Sequence, residues 1–95
     1  MDELINYYLE ESSVDLVEIA LERLVSQTNV ENYLEIISSI EKHPESTELD
    51  MSMYITDIAK PAFTSLAPVI NGYLNSFTDV DAIEDLNEAM NKLKE

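Results

Sequence analysis

An all-α fold is what this chain predicts, on three observations. Apolar residues recur at three- and four-residue spacings almost from end to end, no segment alternates convincingly at period two, and Gly72 is the only glycine among 95 residues. Apolar side chains make up 45% of the sequence, enough for one small core and too many for a disordered acidic tail. The expectation is a single domain spanning 1–95, five or six short helices around one core.

The elements follow in order. Leu4, Ile5, Tyr8 and Leu9 make a short stripe, so a first helix begins near Asp2. Ser12 and Ser13 are N-cap types, with Asp15 and Glu18 placed early in the next helix, where acids suit the positive end of its dipole. That helix runs about 14–27 and buries Val17, Ala20, Leu21 and Leu24; fusion of the first two segments into one helix is not forbidden. Asn29 caps a third helix near 30–42, with Val30, Tyr33, Ile36, Ile37 and Ile40 as its stripe. It stops near Lys42-His43, because Pro44 disfavours helical geometry in the residue before it. Residues 44–49 read as a loop, and Asp50 caps a short helix holding Met53, Tyr54 and Ile58.

Pro61 suits the first position of a helix over 61–77, with Phe63, Leu66, Val69, Ile70, Tyr73, Leu74 and Phe77 on its buried side. Pro68 removes a backbone donor inside that span, which predicts a kink or two abutting helices, and Gly72 weakens the same region. Thr78 then caps a last helix whose stripe is Val80, Ile83, Leu86, Met90 and Leu93. This stripe can dock on the core or pair with a second copy, so monomer and homodimer both stand.

Charge narrows the function. Twenty acidic residues face five basic ones, for a formal charge of -15. Seven acids and no Lys or Arg fall between Met1 and Glu22, and five acids and no base between Thr78 and Ala89. Such a body repels phosphate and anionic lipid and attracts basic surfaces. Direct nucleic-acid and membrane binding are disfavoured, and a basic protein is the expected partner. Solubility alone also explains an acidic surface. Without cysteine there is neither disulfide nor thiolate metal site. The acidic Met1-Asp2-Glu3-Leu4 start is unlike a signal peptide, and no apolar run approaches the ~20 residues of a membrane span, so a cytoplasmic protein is expected.

Nothing in the sequence builds an enzyme site, a metal site or a cofactor site. His43 is the only histidine and reads as a helix C-terminal residue near free carbonyls. Asp79, Asp81, Glu84 and Asp85 fail as a calcium loop, since Glu84 stands where the glycine belongs and Met90 where the bidentate Glu belongs. They read as first-turn acids. A single glycine cannot build a phosphate-binding loop.

Two resemblances carry functional expectations. Ser13-Val14-Asp15-Leu16-Val17-Glu18-Ile19 resembles the segment around the phosphopantetheine-bearing serine of acyl carrier proteins, which implies modification at Ser13. Ser12 stands where that family has an Asp, and an N-cap serine opening an acidic helix explains the same residues. The second is more extensive. Glu41-Lys42-His43-Pro44-Glu45-Ser46-Thr47-Glu48-Leu49 resembles the Glu-x-His-Pro loop of the immunity proteins for nuclease-type colicins and pyocins. Helix order and spacing over about 12–77 are similar too. The resemblance implies a four-helix core, here with an added C-terminal helix, and a cytoplasmic inhibitor that neutralises a basic nuclease toxin. Met51 and Ser52 stand where that family carries its toxin-anchoring tyrosines; the nearest aromatic is Tyr54.

The residues themselves suggest a binding face. Glu31, Glu35 and Ser38 lie opposite the apolar stripe of their helix, and Glu45, Glu48, Met51 and Tyr54 continue the surface. A solvated helix face beside core packing is the competing reading, and Tyr54 suits core and anchor equally. Three functions are thus carried forward: an inhibitor such as an immunity protein, an acidic nucleic-acid mimic or phage-type regulator of a DNA- or RNA-binding enzyme, and a carrier protein.

Overall fold

In a computed structural model describing residues 2–94, the described chain holds six α-helices and no strand. The helices are α1 (Asp2–Glu10), α2 (Val14–Ser26), α3 (Tyr33–Lys42), α4 (Glu48–Ile58), α5 (Leu66–Ser76) and α6 (Val80–Lys92). They group into two compact units, Met1–Thr47 and Glu48–Glu95.

In the first unit α1 packs on both α2 and α3. Its core is Ile5, Tyr8 and Leu9 of α1, Ala20, Leu21 and Leu24 of α2, and Tyr33, Ile36, Ile37 and Ile40 of α3. Val17 is only half-buried. The break at residues 11–13 is real: the Glu11 carboxylate accepts the backbone N–H groups of Ser12 and Ser13 at 3.0 and 3.1 Å, turning the chain out of helical geometry. Ser13 occupies the N-cap position, but its hydroxyl makes no capping bond.

α3 begins three residues later than its periodicity suggests. Asn29 is not the cap; its side-chain oxygen accepts the N–H groups of Glu31 and Asn32, while Asn32 returns the bond to the Asn29 N–H and donates to the Gln27 carbonyl. This reciprocal pair of Asn side chains holds a turn where a first helical turn was expected. Val30 therefore leaves the stripe and is 56% exposed. At the other end His43 is extended (φ -73°, ψ 131°), as the residue before a proline must be.

In the second unit α4 and α5 both pack on α6. α4 starts at Glu48, so Asp50 lies in its first turn and is not its cap. The chain then crosses 60–65 in successive turns, and α5 starts only at Leu66. Pro61 thus sits in a turn, and Pro68 is the third helical residue. Its missing N–H is one that the first turn leaves without an intrahelical partner, so no kink is required. Phe63, Leu66 and Ile70 are buried, whereas Val69, Tyr73, Leu74 and Phe77 are half-buried.

α6 is capped by Asp79, not Thr78: the Asp79 carboxylate accepts the N–H groups of Asp81 and Ala82. Its buried face is rotated from the large-residue stripe. Ala82, Leu86 and Ala89 are fully buried, Ile83, Met90 and Leu93 half-buried, and Val80 exposed. Two alanines at seven-residue spacing thus lie on the buried face of the helix on which α4 and α5 pack. At the far end of α4, Lys92 Nζ donates to the Thr56 carbonyl at 2.9 Å, satisfying an acceptor that the end of the helix leaves open.

Candidate partner-binding surfaces

The structure sorts the seven expected binding residues by burial and by the bonds they make. Glu31, Glu35 and Glu45 are exposed and Ser38 is half-buried, all in the first unit. Met51 and Tyr54 belong to the core of the second unit, at 3% and 0% exposure. They present no surface to a partner, because the buried face of α4 carries both. Glu48 has a structural role: its Oε1 accepts the N–H groups of Thr78 and Asp79 at 2.8 and 2.7 Å, fastening the start of α6 to the start of α4.

Carboxylates cover the outward sides of the first unit. Asp15, Glu18 and Glu22 share one exposed side of α2, at spacings of three and four residues. Glu31, Glu35 and Glu41 are exposed on and before α3. His43 turns to a carboxylate and not to free carbonyls. Its Nδ1 accepts the Glu45 N–H at 3.0 Å, so its proton sits on Nε2, 3.0 Å from Oε2 of Glu10. This ties the end of α3 to the end of α1 and orders the loop that carries Glu45.

Exposed apolar side chains lie elsewhere than in the expected face. Of the seven large apolar residues exposed among the described ones, six (Tyr7, Val14, Leu16, Ile19, Val30 and Leu34) belong to the first unit, which makes it the unit with sticky surface. Tyr7 and Ile19 border an open recess of about 370 Å³ between α1 and α2, which Glu3, Leu4, Ala20, Arg23 and Gln27 also line. A second recess of about 370 Å³ is also bordered by Tyr7, together with Glu3, Asn6, Glu10 and Glu11. The signal for this site was the surplus of apolar residues: the core face of α1 takes Ile5, Tyr8 and Leu9, leaving an aromatic at Tyr7 with no place in it.

The second unit holds a polar cluster instead. The Ser52 hydroxyl lies within hydrogen-bond distance of the Leu49 carbonyl and of Asp85 Oδ2, and the Thr56 hydroxyl of the Ser52 and Asp85 carbonyls. Each single hydroxyl proton serves one acceptor at a time. The Asp57 carboxyl beside them keeps exposed surface, and its pKa is raised from its ordinary value, chiefly because partial burial disfavours its charge; Lys92 opposes the shift, and Asp85 and Glu88 add to it. Every buried side-chain nitrogen and oxygen among the described residues has a partner, so this cluster stitches α4 to α6. No group of three or more His, Asp or Glu among the described residues is placed to hold a metal ion. No described helix is long and apolar enough to cross a membrane. No protein-family model, curated protein or solved structure matches the chain.

Proposed function

We propose that this chain is a small acidic inhibitory binding protein that occludes the working surface of a basic protein, a nuclease toxin above all, as an immunity protein does, and performs no chemistry itself. Its site of action is the cytoplasm. The observation that carries the reading is the first unit's surface, where exposed apolar side chains stand among exposed carboxylates. Carboxylates steer a basic partner to the surface at high rate, and apolar anchors then supply affinity that salt does not screen. The Glu41–Leu49 segment, with its resemblance to the immunity-protein loop, lies partly on this unit.

The test is capture of partners from native lysate by the tagged chain, elution by a salt ramp, and identification by mass spectrometry. A basic nuclease held through roughly 0.5 M salt is the expected result, because at that strength surface charges are screened within a few ångströms. Assorted basic proteins that all leave at modest salt contradict it.

The nucleic-acid mimic remains a second reading on one observation: exposed acids occur in both units, on α2 and α3 and again at Asp81, Glu84 and Glu88 of α6. Substituting Glu31, Glu35 and Glu45 together by Ala separates the two. A local face predicts collapse of binding, and distributed mimicry predicts a small graded loss. Glu48 is left out because its loss would disturb α6.

A further inference from the structure

We propose that the groove between α1 and α2 is where the basic partner inserts an apolar side chain flanked by arginine or lysine, with Tyr7 as the anchor. The proposal rests on the inhibitor reading and names the place and chemistry of its contact.

The groove has two apolar walls from different helices. Tyr7 on α1 is 43% exposed and Ile19 on α2 is 44% exposed, and together they border a recess of about 370 Å³. Tyrosine on a rigid helix is a low-entropy anchor, since few torsions must be fixed on binding. Tyr7 borders both recesses, so an inserted side chain can pack against its ring while a neighbouring guanidinium stacks on it.

The rim selects the occupant. Glu3, Glu10 and Glu11 border the recesses, against Arg23 as the one base bordering them. A second copy of the chain carries the same charge of -15 and is repelled. Nucleic acid and anionic lipid are repelled on the same ground. What fits is a cationic segment with one large apolar residue, its charges toward Glu10 and Glu11 and away from Arg23.

The chain contains no tryptophan, so the fluorescence of a tryptophan peptide reports binding directly. The probe is capped Arg-Arg-Trp-Arg-Arg, with Arg-Arg-Ala-Arg-Arg as its competitor, titrated against the full chain at low salt and at roughly 0.3 M NaCl. Saturable binding that survives the higher salt is expected, with about tenfold weakening in Tyr7→Ala and again in Ile19→Ser, a side chain from the opposite wall. Both positions are exposed, and melting curves verify that both variants are folded. Asn87→Ala, on an exposed side of α6 and outside the groove, should bind the peptide within about twofold of the parent. Equal binding by parent and Tyr7→Ala, or an alanine peptide that competes as well as the tryptophan peptide binds, overturns the groove. The two readings fail separately. A captured nuclease that holds Tyr7→Ala undiminished removes the groove and leaves the inhibitor. Absence of any salt-resistant basic partner removes the inhibitor, and the peptide titration still decides the groove.

Discussion

Tyr54 shows how one side chain's burial redirects a functional reading. It has no exposed surface, so it contributes to binding only by holding the second unit together. Tyr54→Ala should destabilise the protein by about 3–5 kcal/mol, the usual cost of deleting a buried aromatic side chain. That is a large share of the ~5–15 kcal/mol that a domain of this size has. Chemical denaturation checks it; a loss below about 1 kcal/mol would place the ring at the surface after all. Asp57 gives a prediction of opposite sign. Its folded-state pKa lies above the ordinary 3.8, so the folded state holds the proton more tightly than the unfolded chain. Stability from this group is complete below the unfolded value and is lost as pH rises through the folded one. Because Asp57 keeps exposed surface that screens the effect, Asp57→Asn should raise the melting temperature at pH 7 only slightly, with the gain vanishing below roughly pH 3. An unchanged or lowered melting temperature at pH 7 contradicts it. Neither result was readable from the sequence, because Met51 and Tyr54 fit the helical period as well for core as for surface, and the Asp57 shift comes chiefly from partial burial that only the folded chain creates.

At the scale of elements, the sequence read well wherever a local cause acts alone. Pro44 ends α3 at Lys42 through its effect on His43, and Ile5, Tyr8 and Leu9 mark the buried face of α1 by spacing alone. It read poorly where side chains compete with helix formation or where a partner helix decides. The Asn29–Asn32 bonds delay α3, and the turns over 60–65 delay α5 until Pro68 falls in its first turn. α6 buries Ala82, Leu86 and Ala89, and small side chains on a packed helix face are what hydrophobic periodicity weighs too lightly. The cap of α6 belongs to Asp79, which serves two N–H groups. Asp79→Ala should cost about 1 kcal/mol, and Thr78→Ala clearly less in the same denaturation assay. The reverse order would return the cap to Thr78.

At the scale of the molecule, twenty acids against five bases set a field that no single pair creates. The field was legible in composition, and the proposal of a basic partner rests on it. The place of contact was not, since it depends on which apolar residues the core leaves outside. Met51 and Tyr54 are buried in the second unit, while Tyr7 and Ile19 stay exposed in the first, which is why the proposed anchor lies between α1 and α2. The central claim is that this surface inhibits a basic enzyme by covering it. The most direct measurement is a titration of the captured partner's nuclease activity with the purified chain at roughly 0.3 M salt, where diffuse charge effects are screened. The account predicts complete loss of activity at one equivalent, with the Tyr7→Ala chain requiring a large excess. Activity that persists at excess chain, or that is lost only at low salt and equally with any acidic protein, would contradict it.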